Sequence, residues 1–192
     1  CPAASARDFE KYGLVCGVEG MPDLNNQGAW LALEDGEGDV ICVVDYKDDW
    51  YGDDYKREGG WSLEQVDPLN PCGGSGNWKA SRSPEGGTPG RANSVADDNP
   101  DGYGPQVLYA GMPHAYTLSV HFSEPLHSRL ALQPRFYHLA GKGMPDSVSL
   151  VHPGMQAVHL HFGESFAAGA GYRLKLDDSL TDCAGNPLRG SN

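Results

Sequence analysis

The stretch Gly59-Gly60-Trp61-Ser62-Leu63-Glu64-Gln65-Val66-Asp67-Pro68 decides how the first half of this chain folds. Over residues 61–66, apolar residues alternate imperfectly with polar ones, which predicts a short, half-buried strand. Glycine before the strand and proline after it end regular structure on both sides. The stretch holds no nucleophile motif, phosphate loop or metal-ligand spacing, so it favours a scaffold over a catalytic site.

The segment 67–95 has the composition of a long loop, with many glycines, prolines and serines. Near its end stands the run Gly86-Gly87-Thr88-Pro89-Gly90, in which turn-forming residues cluster. Trp78 is the one tryptophan of this loop, so we expect it to hold the loop against the body of the domain. Structural roles are therefore predicted for Trp61, Trp78, Pro89 and Gly90.

Alternating patterns predict further short strands. Residues 29–33 and 40–46 flank the turn-forming segment 34–38, which predicts a β-hairpin. In the second half, residues 116–122, 158–162 and 172–176 alternate strictly, as strands of an antiparallel sandwich do. The predicted core of this half is Tyr116, Leu118, Val120, Phe122, Val158, Leu160, Phe162, Tyr172, Leu174 and Leu176.

The composition agrees with this pattern. The 192 residues include 26 glycines and 14 prolines, which suit short strands joined by tight turns and argue against long helices. Polar turn formers cluster at residues 96–102 and indicate a linker. We therefore predict an all-β protein with one domain over residues 1–95 and a second over residues 103–192.

The net charge of −12 comes from 26 acidic and 14 basic residues. An acidic surface repels phosphate backbones, so we expect a protein or glycan partner and not a nucleic acid. No apolar run approaches the roughly 18 residues of a transmembrane helix, so no membrane span is expected. The sequence has no initiator methionine or signal peptide, and we expect it to be a piece of a longer protein.

Five cysteines stand at positions 1, 16, 42, 72 and 183, without a CxxC pair. Their odd number leaves at least one unpaired. Cys42 lies in the apolar run 40–44, where a free thiol packs as a small apolar group. Two interpretations stay open: most of the thiols are buried and free, which we favour, or one disulfide exists.

The first half resembles the C-terminal portion of a bacterial lamin-tail domain, which is an immunoglobulin-like β-sandwich. The resemblance is carried by Pro22-Asp23-Leu24-Asn25-Asn26, residues 30–33 and 35–46, Trp50, Gly60-Trp61-Ser62-Leu63-Glu64, Asn77-Trp78, Gly87-Thr88-Pro89-Gly90 and Asn93-Ser94. It implies that residues 1–95 form such a sandwich, without the opening strands of a complete domain.

The second half is similar to the immunoglobulin-like repeats of bacterial surface-layer and secreted proteins. The resemblance is carried by Val120-His121-Phe122-Ser123-Glu124-Pro125-Leu126, residues 158–162 and 171–174, and Leu180-Thr181-Asp182-Cys183-Ala184-Gly185-Asn186-Pro187. Together the two resemblances imply tandem immunoglobulin-like β-sandwich modules, both truncated, the second lacking its last strand. Unpaired sheet edges would then be open to self-association.

Acidic residues suggest two sites for Ca²⁺, which takes about six to eight oxygen ligands. One is the loop with Asp45, Asp48, Asp49, Asp53 and Asp54, whose alternative interpretation is an ordinary solvated loop. The other is the linker Asp97-Asp98-Asn99-Pro100-Asp101-Gly102, which matches the start of an EF-hand-like loop. Position twelve of that loop would be Leu108, which supplies no ligand, so a plain hinge is favoured.

His159 and His161 stand two apart in a predicted strand, so both side chains point away from its apolar face. If residues 116–122 form the neighbouring strand, His121 shares that face, and three imidazoles could bind Zn²⁺. The alternative is a set of exposed histidines that titrate near pH 6.5 and change the surface charge.

Trp50, Tyr51 and Tyr55 could stack on sugar rings, although anchoring of their own loop explains them equally. Ser62, Ser94 and Ser123 lack the G-x-S-x-G context of a nucleophile, so no catalytic residue is assigned. We expect a non-catalytic structural, adhesive or binding module of a larger secreted or cell-surface bacterial protein. The alternative is an accessory targeting module of a secreted enzyme that acts on glycans, proteins or nucleic acid, stabilised by Ca²⁺.

Overall fold

The computed structural model describes residues 1–37, 40–70, 73–152 and 154–190. Its helices are single turns and its strands are short, so the predicted all-β class is confirmed. The strands are β1 (Gly28–Glu34), β2 (Val40–Lys47), β3 (Leu63–Gln65), β4 (Trp78–Ala80), β5 (Val107–His114), β6 (Thr117–Phe122), β7 (Tyr137–Leu139), β8 (Ser147–Leu150), β9 (Ala157–His161) and β10 (Leu174–Leu176). The α-helical turns are α1 (Ala6–Phe9), α2 (Asp54–Arg57) and α3 (Ser128–Ala131), and the 3₁₀ turns are Ala3–Ser5, Glu10–Tyr12, Asp48–Tyr51, Gly74–Asn77 and Pro134–Phe136.

The chain divides into two compact units. One consists of residues 1–31 and 45–100, and the other of residues 32–44 and 101–192. β1 and β2 pair with each other, which confirms the predicted hairpin. The outer part of this hairpin, residues 32–44, belongs to the second unit, where Val43 packs against the core.

In the first unit, the strand predicted over residues 61–66 is β3, which pairs antiparallel with β4. Leu63 lies opposite Ala80 and Gln65 opposite Trp78. The segment predicted as continuous loop therefore contains a strand, and Trp78 is its first residue. A three-residue strand leaves too little periodicity for sequence patterns to detect.

The second unit contains the larger core. Its main sheet is antiparallel with the strand order β5-β6-β9-β8, and β10 pairs with β7 in a second sheet. The core is formed by Leu118, Val120, Phe122, Leu126, Ala131, Phe136, Tyr137, Leu139, Leu150, Met155, Val158, Leu160, Phe162, Leu176, Leu180 and Leu188. Every second residue of β6 and β9 contributes to it, as the alternation predicted.

Tyr116 is a correction to the predicted core, because its side chain is 53% exposed. β6 begins only at Thr117, so Tyr116 lies in the turn that follows β5 and not on the inner face of a strand. Tyr172 and Leu174 are partly buried and pack at the margin of the core.

Sequence patterns did not reveal β5. It contains Gly111 and Pro113, which weaken a strand prediction, and its register against β6 shifts twice. Such irregularities break the two-residue period on which the prediction depends. β5 lies at one end of the main sheet, where a bulged strand with proline is best tolerated.

Candidate functional site

The centre of the first unit is a buried carboxylate on β3. Glu64 is 4% exposed and accepts hydrogen bonds from Thr88 Oγ1 at 2.6 Å and from the Ser94 backbone nitrogen and Oγ at 2.7 Å each. Burial acts to raise the pKa of Glu64, but the hydrogen bonds from Thr88, Ser94 and Ser81 outweigh it, and the pKa lies below its ordinary value. This carboxylate ties the segment 88–94 to β3.

The residues with predicted structural roles lie around this centre. Lys56 places its Nζ 4.5 Å from the centre of the Trp61 ring and donates a hydrogen bond of 2.6 Å to the Ser81 carbonyl oxygen. Gly90 has a φ of +69°, and a Cβ atom there would lie 2.0 Å from the Tyr12 carbonyl oxygen. Only glycine fits this close approach. Pro89 precedes it and is half-buried.

The acidic loop is organised by local contacts. Asp53 caps α2, its Oδ1 accepting from the backbone nitrogens of Tyr55 and Lys56 at 2.9 and 3.3 Å. Asp54 pairs with Arg57 at 2.7 Å, and Asp45 lies 3.9 Å from Lys47. Asp48 and Asp49 lie in the first turn of a 3₁₀ helix. Asp45, Asp53 and Asp54 thus have partners within the loop, and binding of Ca²⁺ by the five acidic residues stays a prediction.

The three aromatic residues of this loop have different surroundings. Tyr51 donates a hydrogen bond of 3.0 Å to the Trp61 carbonyl oxygen, and Trp50 is half-buried. Tyr55 is 74% exposed. Tyr51 thus anchors the loop, whereas Tyr55 is the residue best placed to meet a ligand.

The three histidines predicted as zinc ligands lie on one side of the main sheet. β6 pairs with β9, and His121, His159 and His161 lie on one side of it, opposite Ala157, Ser119 and Thr117 respectively. The expected neighbouring of these strands is therefore confirmed. His121 stacks on Tyr109 with 4.2 Å between ring centres, and its Nε2 lies 2.9 Å from Ser119 Oγ.

His159 and His161, on the same face, also contact neighbouring side chains. His161 Nε2 lies 3.0 Å from Ser149 Oγ. The His159 and His161 ring centres are 6.3 Å apart. Burial, followed by the charges of His161, His121 and His114, lowers the pKa of His159. The face is a row of imidazoles with hydroxyl and aromatic neighbours, and zinc binding to it stays a prediction.

Among the described residues, three potential metal ligands converge at another place in the second unit. Oxygen atoms of Asp101, Glu124 and Asp182 lie within 4.8 Å of one another. Asp182 is fully buried and accepts from the Asn186 backbone nitrogen at 2.8 Å and from Asn186 Nδ2 at 2.9 Å. These carboxylates could together hold a hard cation such as Ca²⁺.

We call Asp101, Glu124 and Asp182 the acidic cluster. Burial and repulsion among the three carboxylates change the pKa of Glu124. Burial and the nearby charges of Asp101 and Asp182 raise its pKa from 4.5 to about 7, against the opposing influence of Arg189. Asp101 belongs to the predicted linker 96–102, and Asp182 lies in the segment 180–187 that carries the second resemblance. Sequence patterns do not reveal the cluster because its members are far apart in the chain.

The linker residues have separate surroundings. In the first unit, the Asn99 backbone nitrogen donates to Asp67 Oδ2 at 3.1 Å, and Asn99 Nδ2 donates to Asn77 Oδ1 at 3.0 Å. In the second unit, Asn186 Nδ2 donates to the Asp101 carbonyl oxygen at 3.2 Å. Leu108, at the twelfth position of the EF-hand-like pattern, lies in β5.

An exposed strand and an open groove mark one edge of the second unit. All eight residues of β5 are exposed, including Leu108 at 62% and Tyr109 at 59%. Beside β5 lies a groove of about 1210 Å³. It is lined by Gln106, Val107, Ala110, Arg173, Leu174, Lys175, Leu176, Leu188, Arg189 and Gly190.

The cysteines correct the favoured interpretation of buried, free thiols. Cys183 is disulfide-bonded, and Cys16 is an exposed free thiol. Cys1 and Cys42 are free and half-buried, and burial raises the pKa of Cys42. The other open interpretation, that a disulfide exists, is borne out at Cys183, and Cys72 lies outside the described residues. The spacing of cysteines in the sequence could not choose between the two, because pairing depends on proximity in the fold.

No protein-family model and no curated protein matches this chain. No helix in the described part of the chain is long and apolar enough to cross a bilayer.

Solved structures of a bacterial surface-layer protein, SbsC, are similar to part of the chain. Its N-terminal part is 20% identical, with a TM-score of 0.39 over 44% of this chain and 21% of that chain. The rSbsC(31-844) structure is 20% identical, with a TM-score of 0.40 over 45% of this chain and 12% of that one. Domains 1–6 are 18% identical, with a TM-score of 0.41 over 46% and 13%. The chain thus spans between 12% and 21% of the length of these proteins.

Proposed function

We propose that this chain is a non-catalytic structural and binding part of a larger secreted or cell-surface bacterial protein. In this proposal, a lamin-tail-like β-sandwich is followed by an immunoglobulin-like one. The disulfide at Cys183 supports an extracellular or cell-envelope location, because disulfides persist in oxidising compartments. The hydrogen-bonded Glu64 supports a scaffold role, because its donors hold the carboxylate in one state.

The observation that carries the proposal is the exposed β5 edge. A strand at the end of a sheet offers unpaired backbone groups to another chain, and β5 also exposes Val107, Leu108, Tyr109 and Met112. Added strands gain backbone hydrogen bonds and side-chain pockets together. The edge is therefore suited to binding a polypeptide.

We propose that a second copy of this chain is the partner, with two β5 strands antiparallel at a twofold axis. The charge distribution supports this choice. Although the chain carries a net charge of −12, β5 has no acidic or basic residue besides His114. Two copies can therefore meet at β5 without opposing carboxylates, and an antiparallel edge pair satisfies twofold symmetry.

Light scattering after size-exclusion chromatography tests this proposal. We expect a concentration-dependent dimer that the double substitution Val107→Lys with Met112→Lys weakens at least tenfold, because it places like charges across the edge. The matched control, Tyr116→Lys with Met144→Lys, adds the same charge at exposed positions outside β5 and should leave the dimer unchanged. A monomer at all concentrations, or equal weakening by both variants, would reject the β5 dimer.

A second candidate function is a calcium-stabilised accessory module of a secreted enzyme. It is favoured by the convergence of Asp101, Glu124 and Asp182. Calorimetric titration with Ca²⁺ tests it: binding should release heat, raise the melting temperature and be lost in Asp182→Asn. Absence of both effects in the wild type would remove calcium from the proposal and leave the structural role intact.

A further inference from the structure

Two segments near the start of the chain run side by side. Pro2 forms a parallel bridge with Val18. The Ala3 backbone nitrogen donates to the Val18 carbonyl oxygen at 3.1 Å, and the Val18 nitrogen donates to the Cys1 carbonyl oxygen at 2.9 Å. The approach is close at Gly17, where a Cβ atom would lie 3.1 Å from Ala3 Cα. Residues 1–3 and 16–18 are thus held in a fixed register.

This register brings two free thiols together. The Cys1 backbone nitrogen lies 3.2 Å from the Cys16 carbonyl oxygen, and Cys1 Sγ lies 3.8 Å from the same oxygen. With standard bond lengths, the first of these contacts limits the separation of the two Cα atoms to about 7 Å. Disulfides span Cα separations of about 4.4 to 6.8 Å, so a small adjustment and side-chain rotation suffice.

We propose that Cys1 and Cys16 are a redox pair that closes to a disulfide in the environment where this protein works. Cys16 is exposed, so an oxidant can reach its sulfur. Cys183 is already disulfide-bonded, so this chain carries a disulfide elsewhere in its fold. Cys42 is half-buried, and its raised pKa reduces its thiolate fraction, so it provides an internal comparison.

The oxidant is a small-molecule disulfide such as oxidised glutathione. The Cys16 thiolate attacks one glutathione sulfur and forms a mixed disulfide, releasing one reduced glutathione. The Cys1 thiolate then attacks Cys16 Sγ, forms the protein disulfide and releases the second reduced glutathione. Overall, the thiols of Cys1 and Cys16 are oxidised to one disulfide, and oxidised glutathione is reduced to two thiols. The two protons that the cysteines lose are balanced by the two that the glutathione thiolates take up.

The pair would join the two ends of a segment whose helical turns lack buried residues. The helical turns Ala3–Ser5, Ala6–Phe9 and Glu10–Tyr12 contain no buried residue. Segments with few buried contacts open readily, and a crosslink between the ends of a loop restricts its unfolded conformations. Oxidation should therefore protect residues 2–15 from proteolysis.

The test uses the whole chain, incubated with oxidised glutathione and then alkylated and digested without reduction. We expect mass spectrometry to find a peptide pair joining Cys1 to Cys16, about 2 Da lighter than the two thiol peptides. Cys42 should remain alkylated. Closure should be independent of protein concentration, and cleavage within residues 2–15 should slow at least fivefold and recover with reductant.

Three variants make the result specific. Cys16→Ser should leave Cys1 alkylated or glutathionylated and abolish the protection, whereas Cys42→Ser should change neither. Gly17→Val should push the two segments apart and slow closure at least tenfold. The inference is overturned if Cys1 and Cys16 are alkylated as completely as Cys42 in folded wild type, or if they crosslink only between molecules. The test in solution is independent of where the protein resides, so its failure would leave the β5 dimer untouched.

Discussion

Glu64 shows how one buried carboxylate can organise a unit with short strands. It lies on a three-residue strand, yet it holds Thr88 and Ser94, which are 24 and 30 residues away in the chain. A buried carboxylate is stable only when donors replace the water that it has lost. Thr88 and Ser94 provide those donors, so these hydrogen bonds hold the segment that contains them against β3.

We therefore expect Glu64→Ala to lower the free energy of unfolding by about 3 kcal/mol, because it leaves buried donors without an acceptor. Glu58→Ala, at an exposed position, should cost little. The folded pKa of Glu64 lies below its ordinary value of 4.5, so its stabilisation is present above that pH and is lost as pH falls through the folded pKa. Urea unfolding from pH 3 to 7 measures this loss as a fall in the free energy of unfolding. A Glu64→Gln variant with an unchanged acid limb would contradict the assignment.

Glu124 changes the pH dependence of stability in the direction opposite to Glu64. Its pKa is raised from 4.5 to about 7, so the folded protein binds a proton more tightly than the unfolded chain does. The contribution of Glu124 to stability is therefore fully present below pH 4.5 and is lost as pH rises through about 7. Glu124→Gln should stabilise the protein at pH 8 by about 1 to 2 kcal/mol, after allowance for solvent screening. Thermal melts of this variant and of Glu37→Gln, an exposed control, test it.

Thermal melts of Glu124→Gln can also be recorded with Ca²⁺ and with a chelator. If the acidic cluster holds Ca²⁺, Glu124→Gln should diminish the calcium-dependent rise in melting temperature while still raising the melting temperature in chelator. A variant that is less stable than the wild type in chelator at pH 8 would contradict the repulsion among the three carboxylates.

At the scale of elements, the acidic loop demonstrates how capping can explain residues that resemble metal ligands. Asp53 caps α2 and Asp54 forms an exposed ion pair with Arg57. Both contacts join residues within one turn, so they require no distant partner.

Asp53→Ala should destabilise the first unit by about 1 kcal/mol, the usual cost of losing an N-cap. Asp54→Ala should cost less, because exposed ion pairs contribute little. Chemical unfolding followed by tryptophan fluorescence compares the two. A loss of calcium binding in Asp53→Ala, with stability unchanged in chelator, would instead favour the loop as a metal site.

The elements also show where sequence patterns succeed. The hairpin and the strands β6 and β9 were predicted from the sequence. In these strands apolar residues alternate with polar ones, and this pattern can be recognised from neighbouring residues alone. β5 was not, because Gly111, Pro113 and two register shifts remove that alternation. The edge that we propose to bind a second copy is thus the element with the weakest pattern.

For the whole molecule, the disulfide at Cys183 is a crosslink already present in the structure. In a Cys1→Ser, Cys16→Ser background, reductant should lower the melting temperature, because a lost disulfide commonly costs about 2 to 5 kcal/mol. Adding Cys183→Ser should lower the melting temperature similarly and remove the response to reductant. Scanning calorimetry measures both. A melting temperature that reductant leaves unchanged would show that this crosslink adds no stability.

Local sequence patterns are sufficient to predict the all-β class, the hairpin, the core faces of β6 and β9 and the common face of His159 and His161. These follow from periodicity and turn chemistry over a few neighbouring residues. The fold was needed to show that Glu64 meets Thr88 and Ser94, that Asp101, Glu124 and Asp182 converge, and that Cys1 lies beside Cys16. Each of these contacts joins residues from separate segments, and their separation in space depends on chain packing, which local patterns do not encode.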